Sequence, residues 1–379
     1  MPIYNIAEKM MSVTDFTSGE YFRNYWGRTP YDTAGAGPGA AAKAGHDWYS
    51  DYSGADIWWT QDPTEGWLAK YDWGSKRTIP DLITATSDNK IRVRTGIDRS
   101  TGGDYPGFAS IRLEGRKVYC RGGVFMISVD QIPTGCGSWP AFWLVGTNKE
   151  KWEDPAMTSI LSTWPKHGEI DIIERVHEEG VNHFTLHTKG GCKSEMSGTN
   201  VEKKGDPNCN FNQAYTGCSM NIKHQRAGVY ICEWVYNKYV KYWHYNSDSD
   251  IPSGAISGSP ETIDTDKLGN PTGVHGLENQ CNTGGDDGFL ENMHIILNTT
   301  FCGAWAGAVG TGCGSNTWST KTSCDDWMKS TFINGSSAVQ NYGLYLPEEY
   351  DWIINYIKCY ENDETKCKAR VDPAPAPAP

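Results

Sequence analysis

The chain has 379 residues, enough for one large all-β domain or two ordinary domains, and carries a formal net charge of −12. With no local basic patch to compensate, that balance repels a polyanion and excludes nucleic acid as a partner. Glycine (42), tyrosine (20) and tryptophan (16) are abundant while charged residues make up 21%, which favours a turn-rich β-sandwich with aromatic surfaces over a helical bundle.

The start, Met1 to Glu8, lacks a basic stretch followed by an apolar one, so a secreted chain is expected here without its signal. Residues 35–46 are rich in Gly and Ala and read as a loop inside the domain, because aromatic patterning resumes at once. Short strand-like runs follow at 123–132, 170–176, 183–188, 229–236, 239–245, 293–298 and 352–360, separated by Gly, Pro and Asn. Tyr236-Asn237-Lys238-Tyr239 reads as a hairpin turn between two of them. No long amphipathic helix, no 20 to 50 residue repeat and no apolar run of about 18 residues interrupts the pattern, so a two-sheet antiparallel sandwich is expected and a membrane span is not. Residues 371–379 repeat Pro-Ala, which favours extended polyproline II and predicts a stiff spacer toward a further module.

Twelve cysteines occur without paired C-x-x-C spacing. An oxidised, disulfide-bonded extracellular protein is the simplest account, with a zinc site or free core thiols as the alternative. Sequons at Asn298 and Asn334 permit glycosylation but occur often by chance.

The chemistry concentrates in His167-Gly168-Glu169-Ile170-Asp171-Ile172-Ile173-Glu174-Arg175-Val176. Alternation puts Glu169 and Asp171 on one face and Ile170 and Ile172 on the other. Strict pleating would then bury Glu174 among the isoleucines at a cost of several kcal/mol. One β-bulge near Ile172-Ile173 turns Glu174 back to the acidic face. Three crowded acids raise at least one pKa, which suits glycoside hydrolysis: one carboxylate attacks the anomeric carbon while the other delivers a proton. The competing readings are a solvated acidic strand or a calcium site, and the interleaved isoleucines oppose a calcium loop. In the next run, His183, Thr185 and His187 should border the acids while Phe184 and Leu186 enter the core.

Gly168 to Glu174 resembles the catalytic signature of family 16 glycoside hydrolases, in the bulged form of laminarinases and lichenases. Asp62 to Gly66, Thr134 to Trp143, Phe184 to Thr188 and Ile296 to Gly307 resemble the fungal-type endo-1,3(4)-β-glucanase branch in the same order. The likeness covers residues from about 57 to 360, inside an expected catalytic domain of residues 1–365 followed by a linker over 366–379. It implies a β-jelly roll of two curved antiparallel sheets and hydrolysis of β-1,3 or mixed β-1,3/1,4 glucans with retention. Glu169 would be the nucleophile, Glu174 the acid/base, and Asp171 would assist by holding the nucleophile's orientation and tuning its pKa. It also implies Arg112, Trp139, Trp164, His187 and Trp305 as substrate-binding residues, and their chemistry fits, since indole faces stack on sugars and arginine donates to several hydroxyls.

No cofactor is required by that chemistry, and a structural calcium, which some members carry away from the cleft, is not indicated by these residues. The expected partner is the polysaccharide alone, bound by a secreted monomer. The chain departs from the family pattern in its long Gly/Ala loop, in Arg175 where a small residue often follows, and in Cys120, Cys232, Cys359 and Cys367, which could supply two further bridges. A cell-wall transglycosylase or a β-glucan lectin on the same fold are the alternatives, and both glutamates weigh against the lectin.

Overall fold

The predicted runs form strands because each buries at least one apolar face. In the computed structural model, which describes residues 3–17, 22–24, 69–71, 82–98 and most of 107–367, the longest are Gly122–Gln131, Ser138–Gly146, Met293–Phe301 and Trp352–Glu361. The 35–46 loop, the 62–66 segment, Asn334 and the Pro-Ala tail lie outside the described residues.

Two antiparallel sheets make the sandwich. One runs, in spatial order, through Val201–Gly205, Cys218–Lys223, Val181–His187, Glu169–Glu174, Ser138–Gly146, Met293–Phe301, Arg112–Gly115 and Phe22–Asn24. The second centres on Tyr239–Tyr245, Gly228–Val235, Gly122–Gln131, Trp352–Glu361 and Ile3–Met10. Phe142, Leu144, Ile170, Ile173, Phe184 and Leu186 from the first sheet meet Phe125, Ile127, Tyr230, Tyr242 and Ile357 from the second in one core. Each such side chain contributes roughly 1.5–3 kcal/mol when fully buried. The expected jelly-roll sandwich is therefore what the chain builds.

The second sheet is buried on both faces. Val124, Met126, Ile231, Trp243 and Tyr360 on its outer side are covered by Ala255, Ile263 and Leu268, which explains why its strands read as nearly continuous apolar runs. The hairpin at 236–238 forms as expected, closed by Val235 opposite Tyr239 with Asn237 at φ 54°. A helix, Cys324–Phe332, was not anticipated; its Met328 and Phe332 pack beside Phe301 and Tyr350 at one end of the sandwich.

Five disulfides link Cys120–Cys367, Cys136–Cys313, Cys192–Cys281, Cys209–Cys218 and Cys302–Cys324. Of the four additional cysteines, Cys120 and Cys367 pair, but Cys232 and Cys359 are free and buried. Both stand opposite Phe125, one on each side of its strand. Two strand spacings, about 10 Å, separate them, too far for a bridge. The expectation of two extra bridges is thus half met. Asn298 is 2% exposed and accepts a hydrogen bond from Trp143 Nε1 at 2.8 Å, so in the folded chain it is no glycosylation acceptor.

Candidate active site

The acid-bearing strand lies between Ser138–Gly146 and Val181–His187. Its ladder with Ser138–Gly146 pairs Glu169 with Val145 and Asp171 with Trp143, then skips Ile172 and resumes with Ile173 opposite Phe142 and Glu174 opposite Ala141. That skipped residue is the bulge expected from the sequence. Ile170, Ile172 and Ile173 are all 0% exposed in the core, while the three acids share the opposite face. Just before the strand, Gly168 has φ 86°, and a Cβ there would sit 2.3 Å from the Phe289 carbonyl oxygen. No side chain fits this approach.

Each glutamate has its own indole donor. Trp164 Nε1 donates to Glu169 Oε2 at 2.9 Å, and Trp139 Nε1 donates to Glu174 Oε1 at 3.0 Å. The neighbouring ladder pairs Glu169 with His187 and Asp171 with Thr185. His187 Nε2 lies 3.4 Å from Asp171 Oδ2 and 3.7 Å from Glu169 Oε1. Phe184 and Leu186 enter the core as expected.

Burial, then the charge of Asp171, pushes Glu174 up to about 8. Glu169 is also held well above the usual carboxylate range, first by burial and then by Asp171, with His187 and the Trp164 N–H opposing. Burial raises Asp171 as well. Neutral carboxylic acids are therefore available here near neutral pH, and an indole donor on each glutamate, with the His187 imidazole beside both, opposes the shift.

Trp305 stands edge-on to Trp139, with ring centroids 5.3 Å apart, and edge-on to His183 at 4.7 Å. Trp164 packs against His187 at 5.8 Å. Four of the five expected binding residues thus gather at the acids. Arg112 does not touch them through its backbone: it stands opposite Asn298, which pairs with Ala141, which pairs with Glu174. Three strand spacings, about 14 Å, separate it from that glutamate, and its side chain lies outside the described residues.

On the other flank, Thr185 pairs with Ser219 and His183 with Asn221. Thr185 Oγ1 donates to Ser219 Oγ at 3.0 Å, and Ser219 donates on to Asn221 at 3.3 Å. The sequence reading missed Ser219 and Asn221. Their signal was the polar/apolar alternation Ser219-Met220-Asn221-Ile222.

Glu169, Asp171 and His187 also present donor atoms within 4.8 Å of one another. A cation would have to share Glu169 with the Trp164 N–H, which points its positive end at the same carboxylate, and calcium normally takes six to eight oxygens. The arrangement suits paired-carboxylate chemistry better.

A bulged strand carrying two indole-held glutamates across a jelly-roll face is the arrangement of a family 16 glycoside hydrolase. The XgeA-like, catalytic GH16 domain matches residues 56–360, and the chain belongs to that family. It is similar to a probable endo-1,3(4)-β-glucanase of Aspergillus clavatus, 31% identical over 330 residues covering 84% of this chain and 44% of the relative. Similarity to the endo-1,3(4)-β-glucanase xgeA of Emericella nidulans is 30% over 319 residues, 79% of this chain and 44% of the relative. The chain thus spans less than half the length of these two curated relatives. In fold it resembles laminarinase 16A of Phanerochaete chrysosporium, with a TM-score of 0.62, 23% identity and coverage of 94% of this chain and 99% of that one.

Proposed function

We propose that this domain is a retaining endo-hydrolase of β-1,3 or mixed β-1,3/1,4 glucans that works by double displacement and needs no cofactor. The observation that carries it is the bulge, which brings two indole-held glutamates with raised carboxyls onto one cleft face, so that one can give up its proton to attack while the other keeps its own. Glu169, held by Trp164, attacks the anomeric carbon; Glu174, held by Trp139, protonates the departing oxygen and then deprotonates the incoming water. Asp171, between them, keeps the nucleophile oriented and sets how protons are shared. The indole faces of Trp139, Trp164 and Trp305, with His187 and Arg112, would bind the sugar chain. Five disulfides fit an extracellular working place, and relatives named for 1,3(4)-β-glucans support the substrate class.

Digestion of laminarin, lichenan and cereal β-glucan should release new reducing ends with β-configured products. Cleavage of cellulose, xylan or agar in their place would overturn the substrate class. Altered chain lengths at a constant number of reducing ends would mean transfer rather than hydrolysis. Azide rescue assigns the two glutamates: Glu174→Ala should yield a β-glycosyl azide and Glu169→Ala the α-azide, and the opposite pair of products would reverse the roles.

A further inference from the structure

The bulge that turns Glu174 toward the cleft interrupts the ladder on the other side of the strand. Pairing with Val181–His187 is registered at Glu169, Ile170 and Asp171 and stops there, so the backbone groups of Ile172 and Glu174 that face that neighbour need other partners. Asn182 supplies them. Its Oδ1 accepts the Glu174 N–H at 3.0 Å, and its Nδ2 donates to the Ile172 carbonyl oxygen at 2.9 Å. The second proton of Nδ2 goes to Tyr242 Oη, 3.1 Å away on the opposite sheet. Asn182 is 0% exposed.

A carboxamide has one acceptor and two donor hydrogens in the geometry of a peptide group. Asn182 therefore stands in for the missing strand residue, bonding to the residues on either side of Ile173, and it is tied through Tyr242 to the facing sheet. The Trp139 indole holds only the carboxyl of Glu174; nothing else described here fixes the Glu174 amide from the Val181–His187 side. Rotation of that backbone unit would swing the carboxyl out of line with the glycosidic oxygen, where an error of about 1 Å can cost on the order of 10²-fold.

We infer that Asn182 is a positioning residue for the acid/base step, acting as a surrogate strand that locks the bulge and so aims Glu174. The inference rests on Glu174 being the acid/base of the proposed reaction. A residue that matters only for folding would lower activity on every substrate alike. One that aims the acid should matter where the leaving group needs a proton, and little where it departs without one.

The test compares kcat/KM for laminarin and for 2,4-dinitrophenyl β-laminaribioside, in the wild type, Glu174→Ala, Asn182→Ala and Asn182→Asp, on protein shown to be folded by circular dichroism. Glu174→Ala checks the underlying reading: it should lose laminarin activity far more than aryl glycoside activity, and equal losses would sink the role of Glu174 itself. With that difference in hand, Asn182→Ala should lower kcat/KM on laminarin by about 30-fold or more and on the aryl glycoside by less than about 3-fold. Asn182→Asp keeps the acceptor for Glu174 and loses the donor to Ile172, so its loss on laminarin should fall between wild type and Ala, again sparing the aryl glycoside. Should the Ala variant fail to fold, the Asp variant carries the comparison. Equal losses on both substrates, or none on either, would overturn the inference about Asn182 while leaving Glu174 in place.

Discussion

Two glutamates, the half-buried Glu174 on the cleft sheet and the buried Glu233 on the outer sheet, have carboxyls raised by desolvation, yet they stand in opposite surroundings. Glu233 is 0% exposed, and its Oε1 accepts from Tyr4 Oη at 2.8 Å and Thr265 Oγ1 at 2.7 Å. Lys241 Nζ lies 3.8 Å from its Oε2. It joins the first strand, the Tyr239–Tyr245 strand and the covering segment at Thr265, and it faces no cleft. Glu174 has a single indole donor to its carboxyl, a rigid backbone clamp behind it, and two more acids on its face. A raised pKa marks burial; the surrounding groups decide whether it serves cohesion or chemistry.

The sharpest way to break that contrast is to neutralise each acid in place. Glu169→Gln or Glu174→Gln should lower turnover on laminarin by at least about 10³-fold, or roughly 4 kcal/mol of barrier, with unchanged circular dichroism. Retention of more than about a tenth of wild-type turnover would remove that residue from the mechanism.

Glu233→Ala should do the reverse. Loss of a carboxylate that joins three elements should cost about 2–4 kcal/mol of unfolding free energy, read from urea midpoints, while kcat of the folded fraction stays within about 2-fold. A fall in kcat as large as that of the cleft glutamates would erase the distinction.

Acidity gives a finer contrast. As the general acid of the proposed reaction, Glu174 has to be protonated to act, and burial and the charge of Asp171 push its carboxyl up to about 8, so kcat/KM on laminarin should fall as pH rises through about 8. That limb should be absent for an aryl glycoside that leaves without a proton, and its persistence there would assign it to another group.

The smallest effect is on stability. A carboxyl raised from 4.5 to about 8 on folding stabilises the fold fully below pH 4.5, and this contribution is lost as pH climbs through 8. Glu174→Gln has no such loss, so its melting temperature relative to wild type should rise between pH 4.5 and 8 by a few degrees. A difference that is flat with pH would mean that Glu174 titrates normally.

Much of this was legible in the residues themselves. Alternation placed Glu169 and Asp171, the misfit of Glu174 demanded a bulge, and period-two patterning in the next strand put His187 beside the acids. Sequence reasoning could not see what depends on neighbours distant in the chain. Trp139 and Trp164 were expected as sugar-stacking faces, but their N–H groups hold the glutamates; for Trp139 that role is fixed only when 35 residues of separation collapse to 3.0 Å. Cys232 and Cys359 counted among four cysteines that could supply two bridges because counting says nothing of the strand that lies between them. Arg175, noted as an oddity, is 0% exposed; its burial depends on the sheets closing over it. Asn182 carried no motif at all, since its partners exist only once the bulge has formed.

The bridge between Cys120 and Cys367 spans 247 residues and encloses the three acids with Trp139, Trp164, His187 and Trp305. A protease that cuts one exposed loop inside that span cannot separate the pieces, because both halves stay tied at the bridge and share the same two sheets. Such a nicked chain would run as one species without reductant and as two with it. Under proteolysis, wear would then accumulate as cuts that leave the glutamates where they were.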